Sequence, residues 1–234
     1  MSEEIEAGNG GTLISRLVWT FQSPKKLYAD IEKETAHWWQ PWVWVSLING
    51  VIAYLSIPIQ IHLARLNTQG VPEDQLQQQI EMMEKFGFLG IIATPVIVLI
   101  TSLIIVGISY LVVSVVAEDA KFKKYFTLYL YASIIVSVGI LLGTILTRMK
   151  GLDSVRSLGD ASASFGPAVL VSFDQKIPHA ILSSFDIFYI WFYVIIAAGL
   201  MHIFNLSRRS AIVAILPVWL LFVLIALISA RAAS

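Results

Sequence analysis

The chain alternates between long apolar runs and shorter polar stretches. A helix needs roughly 20 apolar residues to cross the ~30 Å hydrocarbon layer of a membrane. Five runs reach that length, at residues 42–63, 90–116, 126–147, 184–204 and 211–230. We therefore predict an all-α fold in which residues 42–234 form one membrane domain, an integral bundle of five transmembrane helices.

The region before the first run is more polar and is organised differently. Residues 1–11 are rich in Glu, Gly and Asn, which bury too little surface to offset the entropy of ordering, so we expect a disordered tail. Residues 12–41 predict two short amphipathic helices, because Thr12 can cap the first and Ser23-Pro24 can open the second. Both are too short to span a membrane. They suit either the headgroup region, as interfacial helices, or the cytoplasmic face of the protein itself.

The connections between the runs differ in character. Residues 72–85 predict a short surface helix with an apolar stripe, and the second run must tilt, kink at Pro95 or protrude, because residues 88–117 would extend roughly 45 Å. The loop before the fourth run is unusually long. Its segment 161–173 contains an apolar stretch that is too short to span, and both a re-entrant segment and an ordinary folded loop are compatible with it.

Tryptophan is concentrated just before and within the first run. Trp38, Trp39, Trp42 and Trp44 are four of the seven tryptophans. Tryptophan favours the membrane–water boundary, where its ring is apolar and its N–H stays hydrated. We interpret these residues as interfacial anchors of the first span, with an aromatic ligand cage as the alternative.

Composition supports a lipid environment and excludes several chemistries. Hydrophobic residues make up 57% of the chain and charged residues 14%, against about 25% charged residues in soluble domains. The formal net charge is zero, so nothing favours a nucleic-acid partner. The absence of cysteine excludes disulfides, iron–sulfur clusters and thiol nucleophiles.

Catalytic and cofactor motifs are missing from the sequence. It contains no Gly-x-Ser-x-Gly elbow, no His-Glu-x-x-His metal motif and no P-loop. The four histidines, His37, His62, His179 and His202, lie near predicted span ends. We therefore expect no enzyme activity, no catalytic residue, no cofactor and no metal site.

The distribution of basic residues predicts the orientation. The two shortest loops contain Lys121, Lys123, Lys124, Arg208 and Arg209. Positively charged loops are retained in the cytoplasm. The N-terminus should then be cytoplasmic, and five spans would place the C-terminus outside.

Polar residues near the spans are few. The centres of all five runs lack Asp, Glu, Lys and Arg, although ion-coupled transporters usually carry such groups there. Asp186 follows Ser183 by three residues, which is a capping-box pattern at a helix start. We interpret Ser183 and Asp186 as a helix cap, with a functional carboxylate as the alternative. Asn49 and Gln60 in the first span could bond neighbouring helices or line a small polar pocket.

Small residues form a ridge on the third span. Gly139 and Gly143 are four residues apart, and Thr147 continues the ridge by another four. Such spacing allows two helix backbones to approach closely. The ridge could serve packing inside one bundle or form a dimer face.

Several segments together resemble the Yip family of multispan membrane proteins, named for interaction with Ypt/Rab GTPases. They are Phe21-x-Ser23-Pro24-Lys25, Trp38-Trp39-x-Pro41, Tyr125-Phe126, Ser184-Phe185-Asp186-Ile187-Phe188-x-x-Trp191 and Leu206-Ser207-Arg208-Arg209. The resemblance implies five spans and a cytoplasmic N-terminus. Eukaryotic members act in vesicle traffic and have longer cytoplasmic N-terminal regions. Only about forty residues precede the first predicted span here, so the chain is more similar to prokaryotic members, and we do not expect it to bind a Rab-type GTPase.

Two functions follow as hypotheses. The first is a non-catalytic scaffold or adaptor of the prokaryotic inner membrane, whose partners are the lipid bilayer and either a second copy of itself or other membrane proteins. The second is a passive channel or transporter for a small or lipidic solute. A dry, packed interior would favour the first, whereas a continuous polar cavity would favour the second.

Overall fold

The computed structural model describes residues 10–66, 72–117, 119–156, 158–161, 163–171 and 175–232. Its helices are α1 (Leu13–Gln22), α2 (Pro24–Glu32), α3 (Trp39–Leu66), α4 (Glu73–Val116), α5 (Phe122–Lys150), α6 (Lys176–Ser183), α7 (Ile187–Ile203) and α8 (Arg208–Ala232). Three short 3-10 segments, Leu152–Ser154, Leu158–Ala161 and Pro167–Leu170, lie between α5 and α6. The described part of the chain contains no strand, so the all-α prediction is confirmed.

Helix α5 is the centre of the bundle. No side chain in residues 125–132 is more than 5% exposed. A helix that is apolar on all sides suits such a position, because every face meets another helix. Helices α1, α2, α3, α4 and α7 all pack on α5. Helix α7 is antiparallel to α5, because Gly199 near the end of α7 lies against Leu128 near the start of α5.

The predicted count of five spans holds when one span is counted as interrupted by a bend. Among the described residues, α3, α4, α5 and Arg208–Ile228 of α8 are each long and apolar enough to cross a membrane. Helices α6 and α7 meet the same criterion only as a pair joined at a bend of 49°. The total is four spans, or five if the bent pair is one. The fourth span is predicted from about residue 184, where the chain turns, and its helix begins at Ile187.

The surface helix predicted at residues 72–85 is the first part of helix α4. That segment continues into the second span as one helix of 44 residues, about 66 Å long. Pro95 lies inside the helix without ending it. Beside it, the Trp42 indole donates to the Pro95 carbonyl at 3.0 Å, which binds α3 to α4 at this point. Helix α4 therefore extends well beyond a hydrocarbon layer of about 30 Å.

Helices α1 and α2 form an antiparallel hairpin around Ser23. The Arg16 guanidinium and the Gly11 amide both donate to the Asp30 carboxylate, at 2.8 and 2.7 Å, so the start of α1 lies beside the end of α2. Gly11 is therefore held in place, and the prediction of a disordered tail is wrong at this residue. Residues 1–9 of that predicted tail lie outside the described residues.

The caps of the hairpin follow local sequence signals to different extents. Thr12 caps α1, because its hydroxyl accepts a hydrogen bond from the Ser15 amide at 3.2 Å. Ser23 occupies the cap position of α2 but makes no side-chain cap bond, and Pro24 supplies the first helical residue. The apolar side of α2 is buried against the bundle. The apolar side of α2 therefore packs on the protein itself, and the interfacial location of the two helices stays a prediction.

The long loop before α6 is folded. Within the predicted segment 161–173, residues 162, 172 and 173 lie outside the described residues. Pro167–Leu170 forms a 3-10 segment in which Ala168 is buried while Val169 and Leu170 are exposed. The described part of this segment contains no re-entrant α-helix.

Candidate functional site

Asp186 joins two parts of the structure at the break between α6 and α7. Its carboxylate accepts hydrogen bonds from the Phe188 amide at 3.0 Å and the Phe165 amide at 2.7 Å, and from the Ser164 hydroxyl at 3.4 Å. The side chain is only 8% exposed. Gly166 lies so close that an added Cβ would stand 2.7 Å from the Asp186 Cα. Asp186 therefore caps α7 and holds the 163–166 loop against it.

Ser183 does not take part in this cap. It is the last residue of α6, and its hydroxyl donates to the His179 carbonyl at 2.8 Å. The predicted pairing of Ser183 with Asp186 as one cap is wrong, because the helix breaks between them and the new helix has Asp186 alone at its N-cap.

A pocket of about 230 Å³ opens beside Asp186. Its lining residues with polar groups are Ser164, His179, Ser183, Asp186 and Tyr189, and its apolar lining includes Phe165, Phe188 and the α5 residues Val136, Gly139 and Ile140. A volume of this size holds several waters or a small polar molecule. The pocket is mainly apolar, and Asp186 lies at its edge with a small number of other polar groups.

The small-residue ridge on α5 faces its own bundle. An added Cβ at Gly139 would stand 2.5 Å from the Phe188 ring, so glycine is required for α7 to approach this closely. The Gly143 carbonyl accepts a hydrogen bond from the Ala163 amide at 3.3 Å, and Thr147 is buried. These contacts favour intramolecular packing over the dimer-face interpretation.

Asn49 and Gln60 are not brought together. The Asn49 amide donates to the Ser137 hydroxyl at 2.9 Å and to the Val45 carbonyl at 2.8 Å, which links α3 to α5. Gln60 is exposed eleven residues further along α3, about 16 Å away. The predicted shared polar pocket is therefore not formed by this pair.

The four tryptophans have separate environments. Trp38 packs on Trp42 and on Phe126, with ring centroids 6.2 and 6.0 Å apart. Trp42 is bound to α4 through Pro95, as described above, and the Trp44 indole N–H is buried with no hydrogen-bond partner in the described structure. Trp39 is the most exposed of the four, at 44%. The cluster therefore contributes mainly to packing at the start of α3.

The histidines are dispersed. His62 lies 3.1 Å from the Val155 carbonyl, His202 lies 3.7 Å from the Glu32 carboxylate, and His179 lines the pocket beside Asp186. Among the described residues, no three His, Asp or Glu side chains come close enough to hold a metal ion.

A buried polar network that none of the sequence predictions contained holds the N-terminal hairpin. Arg16 is 4% exposed. Its Nε donates to the Asp30 carboxylate at 2.8 Å, and its Nη1 donates to Gln40 Oε1 at 2.7 Å. The Tyr131 hydroxyl donates to the same Gln40 oxygen at 3.2 Å. One guanidinium thus joins α2, the start of α3 and, through Gln40, the central helix.

A sequence signal for this network existed. Arg16 follows Leu13 by three residues and precedes Thr20 by four, so it shares the buried helical face with them and with Leu17. A charged side chain on the packing face of an amphipathic helix indicates a buried partner. The identity of that partner, Asp30, could not be read from the spacing.

The hairpin also contacts α7 and the loop before α5. The buried Tyr28 hydroxyl donates to the Ile195 carbonyl at 2.9 Å. After α2, Glu34 adopts a positive φ of 59° and accepts a hydrogen bond from Lys121 at 2.9 Å. The hydrogen bond and charge of Lys121 lower the pKa of Glu34. These contacts anchor α2 and the segment after it to the bundle.

A second cavity of about 330 Å³ is an apolar groove between α7 and α8. Ile190, Val194, Ile212 and Leu216 line it and are themselves exposed. At one end the Trp219 indole donates to the Ser184 hydroxyl at 3.2 Å. The groove opens sideways, toward the surface that a membrane would cover.

Comparison with known proteins agrees with this architecture. The family model described as the Yip1 domain matches residues 19–230. Over 210 residues the chain is 27% identical to membrane protein YknW of Bacillus subtilis (strain 168). The aligned region covers 86% of this chain and 85% of that protein. No solved structure matches the chain.

Proposed function

The chain belongs to the Yip1 domain family, and from that premise we propose that it is a non-catalytic scaffold or adaptor that binds partners within the membrane. The observation that carries the proposal is the burial of α5. Its residues 125–132 are enclosed by neighbouring helices, mostly by apolar and aromatic side chains, and the hydroxyls of Tyr125 and Tyr131 are hydrogen-bonded inside the bundle. A solute path along the centre of the bundle would have to pass through this packed region.

Chemistry on a substrate finds little support. The Asp186 carboxylate is already committed to two amides and one hydroxyl. The Arg16 and Asp30 charges neutralise each other in a buried pair. A general base or nucleophile needs a free group within reach of a substrate, and these groups are occupied by the fold.

A partner surface is available on α4. Its outward side has an apolar stripe at helical spacing, formed by Phe88, Ile92, Val96, Ile100, Ile104, Ile108 and Leu111, all of which are exposed. Lipid can cover such a stripe, and so can an apolar helix of another membrane protein. We expect the partner helix to lie along this stripe.

We further propose a prokaryotic inner-membrane location with the N-terminus in the cytoplasm and the C-terminus outside. The ion pair of Glu34 with Lys121 supports it, because that pair places the hairpin and the basic α4–α5 loop at the same end of the bundle. The basic Arg208 and Arg209 begin α8. Basic segments of this kind are retained in the cytoplasm.

Photo-crosslinking in native membranes tests the adaptor function. A photoreactive amino acid that replaces Ile100 or Ile104 should yield one discrete protein adduct. The control replaces Ile212, which is equally exposed on α8, and should label lipid. Adducts that are equally diffuse at all three positions would contradict the proposed surface.

The second candidate, a passive channel or transporter, is favoured by one observation, the pocket beside Asp186, whose lining includes Ser164 and His179. Purified protein in sealed vesicles should show no more osmotic flux of glycerol or choline than empty vesicles do. Flux that depends on the protein and is reduced by Ile140→Phe, a substitution in the pocket wall, would favour the channel over the scaffold.

A further inference from the structure

The α1–α2 hairpin lies alongside α7, and side-chain contacts order it along that helix. Glu32, the last residue of α2, lies 3.7 Å from His202 near the end of α7. Phe21, at the tip of the hairpin, packs edge-on against Trp191 with ring centroids 5.7 Å apart. The hydrogen bond of Tyr28 to α7 lies between these two contacts. The hairpin therefore runs from the end of α7 back toward its beginning.

The depth of the tip follows from its position along α7. Charged groups meet at the end of α7, where Lys124 at the start of α5 donates to the Glu32 carbonyl at 2.7 Å. This level marks one edge of the hydrocarbon layer. Trp191 precedes Ile203, the last residue of α7, by twelve residues, which corresponds to about 18 Å of helix. In a layer about 30 Å thick the tip lies past the midplane, about 12 Å from the far edge.

The tip carries two cations at that depth. Lys25 and Lys26 are exposed, and neither forms an ion pair with any residue in the described part of the chain. Lys26 lies over the Trp19 ring, 5.9 Å from its centroid, which holds its ammonium beside α1. A lysine inside a membrane reaches the headgroups or pairs with an anion. The four-carbon stem of lysine is shorter than the distance to either edge, so these two require an anion.

Exposed apolar residues continue the same surface on α1. Ile14 and Val18 lie four residues apart and are 66% and 42% exposed, whereas Arg16 on the opposite side is buried. We call the exposed surface formed by Ile14, Val18, Lys25 and Lys26 the hairpin face. It is an apolar surface with two unpaired positive charges at its deep end.

We propose that the hairpin face binds a transmembrane helix of another membrane protein, and that a carboxylate in that helix pairs with Lys25 and Lys26. Apolar residues of the partner helix cover Ile14 and Val18. An Asp or Glu side chain supplies the negative charge that hydrocarbon cannot, because ionisable groups inside membranes pair with one another. The inference rests on the proposed adaptor function and adds a second partner surface, with a stated partner chemistry, to the stripe on α4.

A second copy of this chain does not offer the required carboxylate. Helices α3, α5, α7 and α8 contain no Asp or Glu, and those of α4 lie within residues 73–84, outside the apolar run 90–116. Asp186 is buried and bound by two amides. Asp30 is paired with Arg16, close to the shallow end of the hairpin. Two hairpin faces in contact would also bring four lysines together. The partner is therefore a different protein.

Carbodiimide coupling in native membranes tests the pairing. The reagent activates a carboxylate, and a lysine amine in contact with it displaces the activating group to form an amide. We expect a linked peptide in which Lys25 or Lys26 is joined to an Asp or Glu within an apolar segment of a second protein. Lys25→Arg/Lys26→Arg keeps both charges but has no primary amine there, so the link should disappear. Coupling of these lysines only to this chain, or no coupling in the wild type, would overturn the proposal.

Photo-crosslinking from the hairpin face tests whether the two charges hold the partner. A photoreactive amino acid that replaces Val18 should form an adduct with that same protein, and Lys25→Arg/Lys26→Arg should retain it. In Lys25→Gln/Lys26→Gln the adduct yield should fall about tenfold or more, because the partner carboxylate is left unpaired in the membrane. The control Lys85→Gln/Lys150→Gln removes two exposed lysines from the opposite end of the bundle and should leave the yield unchanged. Equal yields in the two glutamine variants would overturn the role of Lys25 and Lys26.

A lost adduct must be separated from a loss of fold. Lys25 and Lys26 are exposed, so the thermal midpoint of Lys25→Gln/Lys26→Gln in detergent should equal that of the wild type. A lowered midpoint would show that the two lysines support the hairpin itself, which contradicts their role in partner binding.

The adduct at Val18 also identifies any other occupant of the hairpin face. Lipid adducts alone would show that acyl chains cover it, and addition of water alone would show a hydrated groove; either result overturns the proposal. A protein adduct at Ile100 or Ile104 without one at Val18 would leave the adaptor function standing and exclude only the hairpin face. The absence of a protein adduct at all three positions would contradict both.

Discussion

Arg16→Leu should release the N-terminal hairpin from the bundle. The substitution removes the guanidinium that joins Asp30 to Gln40 and leaves the Asp30 carboxylate with only the Gly11 amide. Gln40 keeps its hydrogen bond from Tyr131. The dominant effect is therefore an uncompensated charge in a largely buried position.

The size of the effect follows from the burial of the pair. Removing one partner of a buried ion pair costs about 3–5 kcal/mol. Asp30 is 13% exposed and retains one donor, so we expect the lower value, about 3 kcal/mol. Each 1.4 kcal/mol is a tenfold change in an equilibrium constant, so the undocked hairpin should become about 100-fold more populated.

Trypsin cleavage in detergent provides the assay. Lys25 and Lys26 lie in α2 and are cut when the hairpin opens, and cleavage reports the open population when opening and closing are fast. Arg16→Leu should therefore be cut about 100-fold faster there. The double variant Arg16→Leu/Asp30→Leu should recover most of this change, because replacing both charges by apolar groups leaves no unpaired charge.

Two results would refute this reasoning. A cleavage rate for Arg16→Leu equal to that of the wild type would show that the apolar side of α2 alone holds the hairpin. A double variant as labile as the single one would show that the loss is one of packing by the arginine stem rather than of charge pairing.

Three further predictions concern other parts of the bundle. Gly139→Leu should lower the free energy of unfolding by about 1–3 kcal/mol, because the leucine side chain would overlap the Phe188 ring. The control is Gly107→Leu, where an added Cβ meets nothing within 4 Å and the thermal midpoint in detergent should be unchanged or raised. Asp186→Asn keeps a cap acceptor and should lower the thermal midpoint less than Asp186→Leu does. Loss of the cap in Asp186→Leu costs about 0.5–2 kcal/mol. Equal losses in the two variants would contradict the capping role. The Glu34 pKa is lowered from 4.5 by Lys121, so its contribution to stability is fully present above pH 4.5 and is lost as the pH falls through the lowered pKa; Glu34→Gln should flatten the pH dependence of unfolding below pH 4.5, and an unchanged profile would show that the pair contributes nothing.

Local signals predicted the elements that depend on neighbours in the chain. Thr12 caps α1 through a residue three positions away, and Asp186 caps α7 through one two positions away. Such contacts form within one turn, so their residues are readable together. Ser183 shows the limit of this approach, since its spacing from Asp186 matched a capping box while the helix break between them was set by the loop that Asp186 also binds.

The apolar runs determined the membrane fold, because lipid requires about 20 apolar residues in each crossing helix whatever the packing of the bundle. The placement of the hairpin was decided only by the tertiary structure. Gln40 meets Arg16 from 24 positions away and Tyr131 from 91, and Tyr28 bonds a carbonyl 167 positions distant. Each side chain alone is compatible with water, headgroups or protein. The environment of each side chain is fixed by the hydrogen bond or ion pair that it forms when buried, and only the folded bundle brings the two partners together.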